Sequence, residues 1–440
     1  MTFDVVTSCP NVRLHDISES SSSNRTPRIV ALIPQKSFGR ALSFAGFLFI
    51  AVLTLAPQYG TVKTPPSFCV LCGDTSVLDS ILNVLLFIPL GLGLRLAGLS
   101  RRRAFAIGLV TTITVELLQL GIPGRDTSLG DIFTNSFGGF AGIICADIWR
   151  VIILPSRREA ARIASVWVVI WLAVLSASAE LAHISLPPTT AWGVWAPELL
   201  HHDYFPGTVH GATAGGLPTP NAISAASDDV RRRLSSDSVV VRASVTGGAP
   251  TTAIAAIATV YDWKRSQIFM LGERKGNLTF SLRMRTADAK VSTPAIRLDS
   301  VFTHRKQSNH DTLFVAGGLI DHRLWVSAEE NGIRRERTLP VDAALGWSYL
   351  LPFDYEYGAE APFLTALWLA GLAAPAAYWA VRAGLRELVA VAAVMAAGLL
   401  AIPYLTGVHA TPWWEWLALV TGLLAGAALG AATVRASRPH

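Results

Sequence analysis

Eight long apolar segments constrain this chain more than any other feature of its sequence. They lie at about 40–56, 77–98, 104–121, 129–153, 163–181, 362–381, 388–405 and 412–434. A helix needs roughly 20 predominantly apolar residues to cross the hydrocarbon core of a bilayer. Only 15 % of the 440 residues are charged, against about 25 % in ordinary soluble proteins, so a soluble core does not account for these runs. The expected fold class is a polytopic α-helical membrane protein, with about eight transmembrane helices and an inserted all-β sandwich domain.

Charge placement predicts the topology. Arg25, Arg28, Lys36 and Arg40 precede the first segment, and Arg95 and Arg101 to Arg103 lie between the second and third. Arg150, Arg157, Arg158 and Arg162 separate the fourth and fifth, Arg382 and Arg386 the sixth and seventh, and Arg435 and Arg438 follow the eighth. The alternate short loops hold only Lys63 and Arg125. Basic loops stay in the cytoplasm. Both termini are therefore expected there, in a multi-pass membrane protein. The formal charge of +6 reflects these loops, because residues 182–360 hold 18 Lys/Arg and 18 Asp/Glu and balance. That distribution argues against a nucleic-acid partner. Membrane lipids are the expected partners, and no cofactor is implied.

The expected organisation is a polar, Ser-rich disordered tail (1–38), a five-helix membrane domain (39–181), an extracytoplasmic β segment (182–360) and a three-helix membrane segment (361–440). Strands are predicted at 238–245, 253–261, 266–271, 278–285, 312–316 and 324–328, with hairpin turns at Glu273 to Asn277 and at Asn331-Gly332. Leu278, Phe280, Leu282 and Met284 alternate with polar residues, as on a strand with one buried face. Trp192, Trp195, Pro197, Tyr204, Phe205 and Pro206 join this segment to the fifth span, where aromatics suit an interfacial belt.

Candidate chemistry sits in the second to fourth spans. Asp79 and Asn83 lie four apart, Glu116 and Gln119 three apart, and Asp131 and Asn135 four apart, each pair on one helix face. Each set falls within about two turns of the outer end of its helix, and Arg125 lies in the short loop between them. Seven polar groups at one depth suggest one ligand-binding site near the outer leaflet. Two helix N-termini point there. Acids, dipole ends and an arginine suit a phosphate-bearing or zwitterionic head group, with room for a bridging divalent cation. A plainer reading makes Asp79 and Asp131 helix caps and Asn83, Gln119 and Asn135 interhelical hydrogen-bond partners. Glu116 fits that reading least, as an ionisable group within a span. Gly138, Gly139 and Gly142 are expected to serve close packing.

The ordered set Asp79-x3-Asn83-x3-Phe87-x-Pro89-x-Gly91, Glu116-x2-Gln119, Pro123-x-Arg125 and Asp131-x3-Asn135-x2-Gly138 resembles the VanZ-like family across about residues 40–150. The resemblance implies a cell-envelope role, linked to resistance against the glycopeptide teicoplanin, and supplies no reaction. The stretch Ile257 to Thr286, with its Tyr261-Asp262 turn, is similar to laminin-G/concanavalin A-like sandwiches, which often bind glycans or calcium. Asp262 and Asp299 read as turn residues rather than metal ligands.

Cys69 and Cys72 form a C-x-x-C pair that suits a small-ring disulfide in an oxidising compartment. No second ligand pair makes it a zinc site, and no metal site is expected. Cys9 and Cys145 are expected to be free thiols. His201, His202 and His210 are placed in a solvated loop. Two functions follow as expectations. One is an envelope protein that binds a lipid-linked cell-wall precursor or anionic head group, with a glycan on the sandwich. The other is a membrane enzyme modifying a lipid head group, with Glu116 or Asp131 as general base. Transport fits less well, since transporters place polar residues at the midplane of repeated halves.

Overall fold

The computed structural model describes residues 35–57, 75–123, 125, 127–187, 191–195, 204–218, 227–234, 238–262, 266–306, 310–351 and 355–436. The Cys69/Cys72 pair, Cys9, His201, His202 and residues 1–34 of the expected tail lie outside them. Residues 35–38, assigned to the tail from composition, belong to the first helix. Five helices open the chain: α1 (Gln35–Leu55), α2 (Ser76–Leu96), α3 (Arg101–Gln119), α4 (Leu129–Ile153) and α5 (Arg157–Leu181). After a β-rich region come α8 (Ala361–Ala383), α9 (Leu385–Thr406) and α10 (Trp413–Ala436), with two short helices, α6 (Ser227–Leu234) and α7 (Arg285–Asp288), in between. Seven of the eight long helices are long and apolar enough to cross a membrane. The other is α3, which opens on three arginines and carries Thr111, Thr112, Thr114 and Glu116. The chain is a helical membrane protein with an inserted β domain.

Helix starts follow local chemistry. The side chain of Ser100 caps α3 and that of Ser128 caps α4. Ser156 and Glu159 form a reciprocal capping box at α5. Each such bond satisfies a backbone N–H that the helix itself leaves without a partner.

The long helices form two groups. In the first, α2 and α4 touch backbone to backbone. A methyl group on Gly91 would run into the Gly139 carbonyl, one on Gly138 into that of Val84, and one on Gly142 into that of Ile88. Gly39 and Gly93 bring α1 equally close to α2. In the second group, Gly422, Gly426 and Gly430 of α10 repeat the device against Ala370, Ala374 and Tyr378 of α8. Helix α5, grouped from sequence with the four before it, packs with the second group. Its Trp167 Nε1 donates to the Leu372 carbonyl (2.7 Å), and its ring stands edge-on to Trp379 (5.6 Å). Trp379 Nε1 in turn donates to the Ile152 carbonyl (2.7 Å), which ties α8 to the end of α4.

The β domain comprises β1 (Ala191–Trp195), β2 (Gly207–Ala214), β3 (Leu217–Pro218), β4 (Ser238–Gly247), β5 (Ala255–Asp262), β6 (Gln267–Arg274), β7 (Asn277–Leu282), β8 (Ala295–Leu298), β9 (Leu313–Ile320), β10 (Arg323–Glu330), β11 (Ile333–Pro340) and β12 (Glu356–Tyr357). They make two six-stranded sheets, ordered β1-β5-β6-β7-β8-β12 and β11-β10-β9-β4-β2-β3. All pairs are antiparallel except β8 with β12. The sheets meet closely enough that Gly317 of β9 leaves no room for a methyl beside Phe280 of β7. Leu278, Phe280, Leu282 and Met284 are fully buried, as their alternation requires. The turns at Lys275-Gly276 and Asn331-Gly332 have positive φ at both residues, the geometry of a two-residue hairpin loop. Phe205 is not part of an aromatic belt; it is buried against Phe302 (5.7 Å) in the β core.

A buried 3-10 helix, Ala343–Leu350, joins the β domain to the membrane helices. Trp347 Nε1 donates to Thr365 Oγ1 on α8 (2.9 Å), and the Tyr349 hydroxyl donates to the Ser178 carbonyl on α5 (3.1 Å). Tyr349 and Val291 also pack on Leu78 in the first turn of α2. The β domain therefore sits at the end of the bundle where α2 and α4 begin and α3 stops. That end is called the domain end below.

Candidate functional site

The seven residues singled out by sequence are all described, and all lie at the domain end of α2, α3 and α4. They divide into two sets. Asn83, Glu116, Asp131 and Asn135 face the interface of the three helices, and Asp79 is exposed one turn into α2 at the same end. Asn83 Nδ2 donates to Asp131 Oδ1 (2.9 Å), from α2 to α4. Glu116 Oε2 accepts the Ser128 backbone N–H (3.0 Å), from the turn that starts α4. Asn135 Nδ2 donates to Thr112 Oγ1 on α3 (2.9 Å). Three acids from three helices thus lie at one end of the bundle, without closing into a single metal-type group.

Gln119 and Arg125 do something else. Gln119 Nε2 donates to the Thr54 carbonyl (3.0 Å), while Arg125 donates from Nε to Ala56 (2.9 Å) and from Nη2 to Leu53 (2.5 Å). These carbonyls end α1, where a helix has no internal donors left for its last turn. The arginine and the glutamine clasp α1 to the rest of the bundle. Among the described residues, no lysine or arginine pairs with Asp79, Glu116 or Asp131.

The capping and hydrogen-bonding readings of these residues are partly visible. Asp79 accepts from the Thr75 hydroxyl (3.1 Å) at the start of α2, but α4 is capped by Ser128 rather than by Asp131. All three amides make interhelical bonds through their NH2 groups. Their acceptor sides are less well served. Among the described residues, Asn135 Oδ1, Gln119 Oε1 and the hydroxyl of Ser136 are buried without a partner. A buried polar atom left unpaired costs about 1–3 kcal/mol, so these oxygens are acceptors still lacking a donor.

The arrangement is acceptor-rich, with three carboxyls and one unpaired amide oxygen at the positive ends of two helix dipoles. Chemically, carboxyl acceptors match N–H donors and positive charge, and dipole ends match an anion. Among the described residues, no three His, Cys, Asp or Glu come together as a metal group would require. Cys145 is a free thiol. His210 stands on β2, not in a loop, with its ring nitrogen 2.9 Å from Thr246 Oγ1. Asp262 Oδ1 accepts the Ser266 N–H (2.7 Å) across a turn, and Asp299 is held by Arg297 and Arg337.

Two participants were missed from sequence, Thr112 and Ser128. Both carried a signal: Thr112 lies four residues before Glu116 on the same face, and Ser128 stands where a helix cap is expected.

Residues 11–150 match the VanZ/LLP1 family model. That stretch contains α1 to α3, all of α4 but its last three residues, and every residue of the acidic cluster. No curated protein and no solved structure matches the chain.

Proposed function

We propose, with the VanZ-like domain of residues 11–150 as the premise, that this membrane protein holds a lipid head group in the acidic cluster at its domain end. The amine or other cationic part of a zwitterionic head group sits among Asp79, Glu116 and Asp131, and its phosphate lies toward the N-termini of α2 and α4. The observation that carries this reading is that three acids without a basic partner stand at one end of three adjoining helices, with Asn135 Oδ1 unpaired one turn further in. Ionisable groups are expensive in a membrane and mark function by default. The family's link to glycopeptide resistance fits a lipid-linked envelope precursor as the physiological ligand, with glycan contacts on the β domain.

The same proposal includes orientation. The arginine-rich loops lie at the end opposite the β domain, so the domain end faces outward and both termini face the cytoplasm. Labelling of single cysteines at Tyr204 and Arg435 with a membrane-impermeant reagent tests it. Reaction at Tyr204 alone is expected, and reaction at Arg435 alone reverses the orientation. For the ligand, mass spectrometry of lipids retained by the full-length protein is the test. Glu116→Gln and Asn135→Ala should each lower retained aminophospholipid about ten-fold, the equivalent of roughly 1.4 kcal/mol. Unchanged retention in both variants would remove the cluster as the site.

A further inference from the structure

A second polar site lies in the other helix group, and its chemistry is opposite in sign. The two-residue turn between β9 and β10, Asp321-His322, has φ of 49° and 56°. Residues other than glycine seldom adopt this region, and where they do, the surrounding contacts hold them there. Here the His322 carbonyl accepts the Val341 N–H (2.9 Å), and the Val341 carbonyl accepts the His409 N–H (3.0 Å). Val341 thereby stitches the turn to the loop between α9 and α10. That loop is shaped by Gly407, which ends α9 in the left-handed conformation (φ 72°).

Arg323 follows the turn and is exposed. Its Nε donates to His409 Nε2 (2.8 Å). The ring must be neutral to accept, and burial, helped by the positive charge of Arg323, holds the His409 pKa below its usual value. The histidine fixes the guanidinium without consuming its two Nη groups. Among the described residues, no carboxylate pairs with Arg323. An arginine pinned this way offers the planar pair of donors that phosphate oxygens accept.

Beside it opens a cavity of about 450 Å³, walled by His322, Leu400, Pro403, Tyr404, Val408 and Trp416. Leu400 and Tyr404 are also exposed on the flank of α9, and Leu405 and Trp413 extend that apolar, aromatic surface. Tyrosine and tryptophan at helix ends mark the depth of the membrane–water interface. The cavity is thus largely apolar, and Arg323 follows directly on His322, the lining residue from the β domain.

We propose that this cleft binds an anionic phospholipid of the surrounding bilayer, its phosphate on Arg323 and its acyl chain along Leu400, Tyr404 and Trp416. The shape of the wall decides for a lipid over free phosphate, because most of the lining offers a phosphate ion nothing. The site is separate from the acidic cluster and does not depend on it.

The test uses the full-length protein in nanodiscs of phosphatidylglycerol and phosphatidylcholine with a minor share of phosphatidylethanolamine, with retained lipids read by native mass spectrometry. The wild type should prefer phosphatidylglycerol. Arg323→Gln should lower that preference about ten-fold, as expected for loss of a charge-assisted pair. Arg323→Lys, which keeps the charge and loses the fork, should fall between the two. Tyr404→Ala should reduce retention of both lipids, and excess inorganic phosphate should displace neither. Equal retention of both lipids by the wild type, an unchanged preference in Arg323→Gln, or full displacement by inorganic phosphate would each overturn the proposal. Aminophospholipid held by the acidic cluster is read in the same spectra and should not respond to Arg323→Gln, so failure at one site is distinguishable from failure at the other.

Discussion

The two helix groups solve the same packing problem and differ in what they place beside the solution. Gly91, Gly138 and Gly142 let α2 and α4 meet through their backbones, and Gly422, Gly426 and Gly430 do so for α10 against α8. Close contact of small residues is a main source of adhesion between membrane helices. In the second group the polar side chains largely answer structural needs. Thr365 accepts from Trp347 (2.9 Å), and Arg382 donates to Thr433 (2.7 Å). Among the described residues, the second group also buries carboxyl oxygens without a partner, on Glu415 where it meets the β domain, whereas the first places three acids and two amides on three helices at one end. Glycine seams serve both groups, so adhesion alone does not explain the three acids of the first.

The comparison can be broken most directly at the seams. Gly138→Leu and Gly426→Leu should each cost about 3 kcal/mol or more, because the new side chain meets a backbone carbonyl that cannot yield. Thermal unfolding in detergent should show similar losses for both. A small effect at either position would mean that its seam does not hold the group together.

Removing the cluster should separate stability from binding. Asn135→Ala deletes one interhelical bond, worth on average about 0.6 kcal/mol in membrane helices, while retained aminophospholipid falls about ten-fold. A stability loss of several kcal/mol with unchanged lipid would turn Asn135 into a packing residue.

The junction between the β domain and the second group makes a pH prediction. Asp342 is fully buried beside the carboxyl of Glu415, which is itself 0 % exposed, and burial holds the Asp342 carboxyl up at about 6. A carboxyl raised in the folded state contributes stability that is complete at low pH and is lost as pH rises through the folded value. The melting temperature should therefore fall between about pH 4 and pH 7, and Asp342→Asn should flatten that dependence. A flat profile in the wild type would show that the pair does not titrate there. Thr365→Val, which removes the acceptor for Trp347 Nε1, should cost about 1 kcal/mol of stability and leave lipid retention unchanged.

Periodicity and apolar length disclosed the helices well, because bilayer thickness leaves little choice of element. Even α3, the least apolar, could be placed from its flanking arginines and the Glu116/Gln119 face. The central strands of the β domain followed from alternation, and two hairpins from their turn residues. Strand β11 was not foreseen, since Ile333 to Pro340 is charged and exposed and takes its conformation from pairing with β10. The Asp321-His322 turn lacks the glycine that marks such loops. Within the candidate site, helical spacing put the acids on common faces and at a common depth. It did not reveal that Arg125 and Gln119 turn toward α1, because the loose carbonyls that draw them belong to a segment distant in sequence. The grouping of α5 was hidden for a related reason: chain order says little about which apolar surfaces meet.

Photo-crosslinking tests the central claim most directly. A phospholipid carrying an amine and a photoreactive group in its head would be activated in proteoliposomes of the full-length protein, and the adducts mapped by peptide mass spectrometry. Adducts should concentrate at 79–83, 112–119 and 128–135, three stretches far apart in sequence that meet at the domain end. Adducts spread along the lipid-facing sides of all the helices, with none in those stretches, would contradict a head-group site among Asp79, Glu116 and Asp131.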